Sequence, residues 1–206
     1  MEIIIASFSA LFTVVNPFGA MPVFITLTQT DAPKQRQQQA LRASLYAALI
    51  LAVFFLAGQH VLNFFGMRLH DIRIAGGFMI LKAGFELLTP KAHRGKKVSK
   101  GIIAEGKEKE DISFAPLAMP MLAGPGAIAV SIGMFTPALT SADIGLIGVA
   151  ILLMAATTFI ILLFSHSLTR FLGKAGMDAV SRIMGFIVLS IGVNFISTGI
   201  MGMLKL

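Results

Sequence analysis

Two short stretches hold the residue types best suited to chemistry in an otherwise apolar chain: Asn16-Pro17-Phe18-Gly19 and Ala123-Gly124-Pro125-Gly126. Proline lacks an N–H and clashes with the carbonyl four residues back, while glycine reaches backbone angles that other residues avoid. Each stretch therefore predicts a helix that stops and restarts. Each also lies in the middle of a hydrophobic run, where an opened turn leaves costly unpaired backbone groups unless it lines a cavity. A broken helix presents the partly positive N-terminus of one half and the partly negative C-terminus of the other. Those two poles can hold a compact zwitterion by backbone alone. No charged side chain occurs between Ile3 and Thr30 or between Ile112 and Ala142. A metal-cation site or a proton relay would need a carboxylate or histidine at mid-depth, so the expected ligand carries no net charge. The residues expected to line it are Thr13, Asn16, Pro17, Phe18, Gly19, Ala123, Gly124, Pro125 and Gly126, with Ser131 as a further hydrogen-bonding candidate.

The two stretches are related. A shift of 108 residues lays Pro17 on Pro125 and Thr28 on Thr136, and it also lays Gly77-Phe78 on Gly185-Phe186, Leu81 on Leu189 and Gly84 on Gly192. The chain thus reads as two copies of one unit, each opening with a broken helix.

The elements that must position these stretches are membrane helices. The 206 residues are 56% hydrophobic and 13% charged, whereas a soluble domain carries about 25% charged residues. Six runs reach the roughly 20 residues that a bilayer-spanning helix needs, near residues 3–28, 41–64, 72–89, 113–137, 144–165 and 182–203. They are continuous rather than alternating, which excludes a transmembrane barrel. Residues 167–181 read as a short interfacial segment, and 90–112 as a polar connector between repeat 1 (1–89) and repeat 2 (113–206) of a single transmembrane domain, 1–206. Lys34, Arg36 and Arg42, the seven basic residues of the connector, and Arg170, Lys174 and Arg182 all fall on one side. By the positive-inside rule that side is cytoplasmic and both termini lie outside. Three spans per half make the halves inverted, an arrangement of many secondary transporters, whose substrates bind where discontinuous helices meet near the midplane. The expected fold is all-α, with six transmembrane helices in two inverted three-helix repeats and broken first and fourth helices.

Other chemistries find little support. There are no cysteines, which removes disulfides, Cys-type zinc sites and thiol catalysis. His60, His70, His93 and His166 fall at span ends or in loops, and no HExxH, G-x-S-x-G or P-loop pattern occurs. No enzyme, metal or cofactor is expected. The formal charge of +7 belongs to the loops between apolar runs and is no nucleic-acid signature. A removable secretory signal is not expected, because the first residues lack a basic n-region. Within the third span Lys82 and Glu86 stand four apart, where they can pair on one helix face. Their counterparts in the second half are Ser190 and Asn194. Together they suggest an inward-facing polar strip, for which anchoring on one hand and coupling or gating on the other both stay open.

Asn16-Pro17-Phe18-Gly19, Arg73-Ile74-Ala75-Gly76-Gly77, Pro116-Leu117-Ala118-Met119-Pro120, Ala123-Gly124-Pro125-Gly126 and Ser181-Arg182-Ile183-Met184-Gly185-Phe186 together resemble the MarC family of bacterial inner-membrane proteins. The family includes SnatA-type neutral amino acid transporters and is related to the lysine exporter superfamily. The resemblance implies six spans in the cell inner membrane, and the charge bias then places both termini in the periplasm and the 90–112 loop in the cytoplasm. It further implies transport, as exporter or exchanger, of small neutral amino acids such as glycine or alanine by alternating access. Two other readings compete. Paired Asn-Pro motifs also mark aquaporin-like channels, although Gly124 stands where a second asparagine is needed. A non-transporting membrane partner, such as an assembly factor, is the third.

Overall fold

The computed structural model describes residues 1–89, 111–136 and 138–204. The expectations for residues 90–110 and for Pro137, at the end of the fourth run, lie outside the described residues. Every regular element among the described residues is helical. Helix α1 (Glu2–Val15) ends where Asn16 turns left-handed at φ 46° and ψ 66°, with its N–H on the Phe12 carbonyl. Helix α2 (Pro17–Leu27) restarts at once with proline in its first position. Proline suits that position because its missing N–H would have no helical partner anyway. The two helices meet at a bend of 42°.

Helix α3 (Pro33–Phe64) also opens on proline. Its 32 residues extend about 48 Å at 1.5 Å per residue, well beyond a hydrocarbon layer of about 30 Å. It starts eight residues before the expected apolar run because Lys34, Arg36 and the glutamines continue the helix into polar surroundings. Helix α4 (Leu69–Leu88) follows a short turn, and Asp71 caps it by accepting from the Arg68 backbone N–H at 2.8 Å.

The second half departs from the first at its opening element. Segment α5 (Ser113–Leu122) is wide-turned, with Ala123 N–H on the Ala118 carbonyl at 2.8 Å and Leu117 N–H on the Ile112 carbonyl at 3.2 Å. Pro116 and Pro120 follow cis peptide bonds, and Ala115 and Met119 before them are extended. Two prolines four residues apart remove the donors an α-helix needs, so α5 is irregular where α1 is regular. Helix α6 (Pro125–Met134) again starts on proline, after a bend of 66°. Helix α7 (Ser141–Leu163) and helix α8 (Ser165–Leu204) complete the chain. Gly173, at φ 62°, breaks α8. The expected interfacial segment is therefore helical, and the helix that carries the last apolar run extends from Ala175 to Leu204.

By length and composition α3, α7 and Ala175–Leu204 can each cross a bilayer, and counting each bent pair as one span raises the number to five. Helix α4 does not qualify in the same way, since Asp71, Arg73, Lys82 and Glu86 all fall within its 20 residues. The core forms where α1, α3, α5 and α7 meet. Ala40, Ala43 and Ala47 of α3 are fully buried, as are Leu117 and Leu122 of α5 and Ala150 and Met154 of α7. Small side chains let helices approach closely where no water drives them together. Two polar contacts tie this core: the Ile112 N–H donates to Gln39 Oε1 at 3.0 Å, and Ser131 Oγ donates to the Leu51 carbonyl at 2.6 Å.

Helices α4 and α8 run antiparallel in close contact. A Cβ on Gly84 would stand 2.9 Å from the Leu189 nitrogen, and one on Gly192 would stand 2.9 Å from the Leu81 nitrogen. Gly77 lies against the Gly192 carbonyl and Gly84 against the Gly185 carbonyl. Each contact becomes its partner when 108 residues are added to one residue and subtracted from the other. Only glycine allows this approach, because any side chain would meet backbone.

Candidate functional site

At the first break the Asn16 side chain closes over the start of α2. Its Oδ1 accepts from the Gly19 N–H at 3.2 Å, the usual service of asparagine at a helix start. Gly19 makes room for it, since a Cβ there would lie 2.5 Å from Asn16 Nδ2. Pro17 is buried, and Phe18 packs edge-on against Phe12 at 6.1 Å across the break. The Thr13 hydroxyl donates to the Ser9 carbonyl at 2.7 Å, so its proton is spent within α1.

The second break is more open. No side chain caps α6, whose N-cap is Gly124, and Pro125 is exposed. A Cβ on Gly124 would meet the Pro120 carbonyl oxygen at 2.7 Å, and one on Gly126 would meet Ile80 of α4 at 2.7 Å. Ala123 is buried. Ser131 is committed to the Leu51 carbonyl, which makes it a tie between α6 and α3. The two bent pairs pack crosswise, α1 on α6 and α2 on α5. The half before one break thus lies against the half after the other.

The expected polar strip does not face inward. Lys82, Glu86, Ser190 and Asn194 are all exposed, because the glycine faces of α4 and α8 turn toward each other and carry these residues outward. Lys82 makes no ion pair among the described residues. Asn194 lines a cavity.

That cavity, of about 240 Å³, opens between α1, α4, α6 and α8. Ala10, Val130, Met134 and Phe195 supply apolar walls, and Arg73, Gly133, Asn194 and Thr198 supply polar groups. Arg73 is half-buried, with Nη2 donating to the Gly133 carbonyl at 3.4 Å. The spacing of α4 already contained a signal for it. Arg73 precedes Gly76 and Gly77 by three and four residues, which places it on the same helix face.

On the opposite end, Arg36 Nη1 and His166 Nδ1 meet at 3.4 Å. Burial, and next the Arg36 guanidinium, hold the His166 imidazole below its ordinary pKa. Nearby, Asp111 pairs with Arg42 at 3.0 Å, and hydrogen bonding from the Ser113 hydroxyl leads the causes that lower its carboxyl pKa. Among the described residues no group of three or more His, Cys, Asp or Glu residues is placed to hold a metal ion.

Residues 1–204 match the sequence profile of a family described as MarC family integral membrane protein. A membrane protein of Methanocaldococcus jannaschii is 36% identical over 204 residues, covering 99% of this chain and 98% of that protein. An inner membrane protein MarC of Citrobacter koseri is 34% identical over 204 residues, covering 95% of this chain and 92% of its own. A membrane protein of Escherichia coli is 34% identical over 195 residues, covering 95% and 90%. No solved structure matches the chain.

Proposed function

Because this chain belongs to the MarC family of integral membrane proteins, we propose that it is a secondary transporter of small neutral amino acids. In this reading it crosses the membrane six times, as two inverted three-helix halves that move against each other to give alternating access. The observation that carries the reading is the pair of breaks. Helices α2 and α6 both restart on proline, at Pro17 and Pro125, 108 residues apart, inside bent pairs apolar enough to span a bilayer. The reciprocal α4–α8 contacts support the inversion, because a two-fold axis between those helices exchanges Gly84–Leu189 with Gly192–Leu81. Antiparallel partners related in this way are what halves of opposite orientation would give.

The ends of the half-helices then supply the poles for a zwitterion. The uncapped first turn of α6 offers N–H groups to a carboxylate, and Asn16 Nδ2 has no partner among the described residues. The connector is cytoplasmic and both termini are periplasmic in this reading. Purified protein in liposomes preloaded with unlabelled alanine should take up labelled glycine or alanine with saturable, exchange-stimulated kinetics. Flux that never saturates would point to a channel, and no flux of any small amino acid would remove the transport reading.

A further inference from the structure

We infer that the cavity between α1, α4, α6 and α8 is a binding pocket for a small carboxylate, with the Arg73 guanidinium as its anchor. Arg73 stands one turn inside α4 yet turns into the protein, where it lines the cavity and bonds the Gly133 carbonyl. Its nearest acid in sequence, Asp71, is engaged with Arg68 at the helix cap, and Arg73 makes no ion pair among the described residues. A guanidinium beside apolar walls in a membrane protein is costly unless an anion joins it. One Nη holds Gly133, so the remaining N–H groups of the fork are available for two parallel bonds to a carboxylate.

The size and lining of the pocket restrict the rest of the ligand. A volume of about 240 Å³ falls below the roughly 300–1,000 Å³ of pockets for drug-sized ligands. Ala10, Val130, Met134 and Phe195 favour a short aliphatic group or none. The Thr198 hydroxyl donates to the Asn194 carbonyl at 2.8 Å, which leaves its oxygen lone pairs to accept from an ammonium. The Gly133 carbonyl is a second acceptor. A small amino acid therefore satisfies both ends of the pocket, and a plain carboxylate satisfies one. The pocket lies at the end of α6 away from the second break, so it is a further carboxylate site beside the poles at the breaks, and it rests on the transport reading for the identity of the ligand as an amino acid. Carboxylate binding itself does not depend on transport.

The test is ligand binding to the purified full chain in detergent, measured by calorimetry and thermal shift at constant ionic strength. Alanine, propionate and alaninamide are the probes. Alanine should bind and alaninamide, which lacks the carboxylate, should not. Propionate binding alongside alanine would identify a general carboxylate site, and alanine binding alone would identify a zwitterion site. Arg73→Gln should weaken binding at least about tenfold, because a charge-assisted pair is lost. Arg73→Lys should fall between, since lysine cannot reproduce the fork.

Gly133→Ala separates pocket from fold. A Cβ there stands 3.6 Å from the Phe195 ring and 3.9 Å from Arg73 Nε, so it fits but occupies ligand space. Alanine also favours helix, so melting temperature should hold or rise while affinity falls. Wild-type affinity in Arg73→Gln, alaninamide binding as tightly as alanine, or no carboxylate binding at all would overturn the inference. Normal alanine flux in Arg73→Gln together with unchanged alanine binding would overturn it and leave the transport reading standing. Arg73-dependent binding without flux would support the pocket and remove transport.

Discussion

The two breaks share a proline at the start of the second half-helix and differ in nearly everything around it. Asn16 is left-handed, caps α2 with its own side chain and sits beside a buried Pro17. Gly124 is extended, caps nothing and precedes an exposed Pro125, after a segment already disrupted by Pro116 and Pro120. The first break is satisfied within the chain. The second leaves a helix start uncapped, and α6 continues from it to the Arg73 cavity. On the proposed transport reading both breaks meet the ligand, the first through Asn16 Nδ2 and the second through the uncapped N–H groups of α6.

The largest effect should come from adding a methyl at each break. At Gly124 it meets a backbone carbonyl, Pro120 O, at 2.7 Å, while at Gly19 it meets the end of a side chain that can swing away. Gly124→Ala should cost about 1–3 kcal/mol, as overpacking does, and Gly19→Ala about 1 kcal/mol through loss of the cap. Thermal unfolding in detergent would measure both, and equal losses would mean that the breaks are alike. Close behind come the paired glycines of α4 and α8. Gly84→Ala and Gly192→Ala each push a methyl to 2.9 Å from a leucine nitrogen, so the two should lower stability by similar amounts. A loss confined to one would show that the halves do not share this interface evenly.

Asn16 can be taken apart further. Asn16→Ala loses the cap and keeps a left-handed φ that costs a side-chain residue about 1–2 kcal/mol, whereas Asn16→Gly should cost only a few tenths. If Asn16→Gly keeps its stability but loses alanine flux, the free Nδ2 serves the ligand. If it keeps both, the first break is a bend and nothing more.

Much of this was legible in the order of residues. Proline and glycine act locally, so Pro17 and Pro125 announced both restarts; the 108-residue shift marked the glycines of α4 and α8 as counterparts but not that Gly77 meets Gly192 and Gly84 meets Gly185. What failed was the direction of the polar residues on α4. Lys82 and Glu86 looked like an inward strip because charge within a span suggests function. Which face of α4 is covered depends on α8, however, and α8 covers the glycines. At 100° per residue Lys82 stands about 160° from Gly84, and so it faces outward. Arg73 reads by position as a charge near a loop, although its spacing from Gly76 and Gly77 puts it on the covered face. The irregular form of α5 was less legible, since prolines delete α-helical bonds without stating what replaces them.

The smallest effect concerns the end of the molecule away from the cavity. His166 has a lowered pKa in the folded chain, so it is held neutral there. The linked stability is fully present above the ordinary histidine pKa of about 6.5 and is lost as pH falls from there through the folded value. His166→Asn should flatten the acid side of the melting-temperature profile, and an unchanged profile would show that other groups govern it.

The central claim is that the halves are inverted, and the absence of cysteine allows it to be tested cleanly. Thr30 and Ala138 are both exposed and stand 108 residues apart. Thr30→Cys and Ala138→Cys would be labelled in intact cells with a membrane-impermeant maleimide, before and after the membrane is opened. Inverted halves predict that Ala138→Cys reacts from outside and that Thr30→Cys reacts only once the cytoplasmic face is reached. Labelling of both positions from the same side would contradict the account.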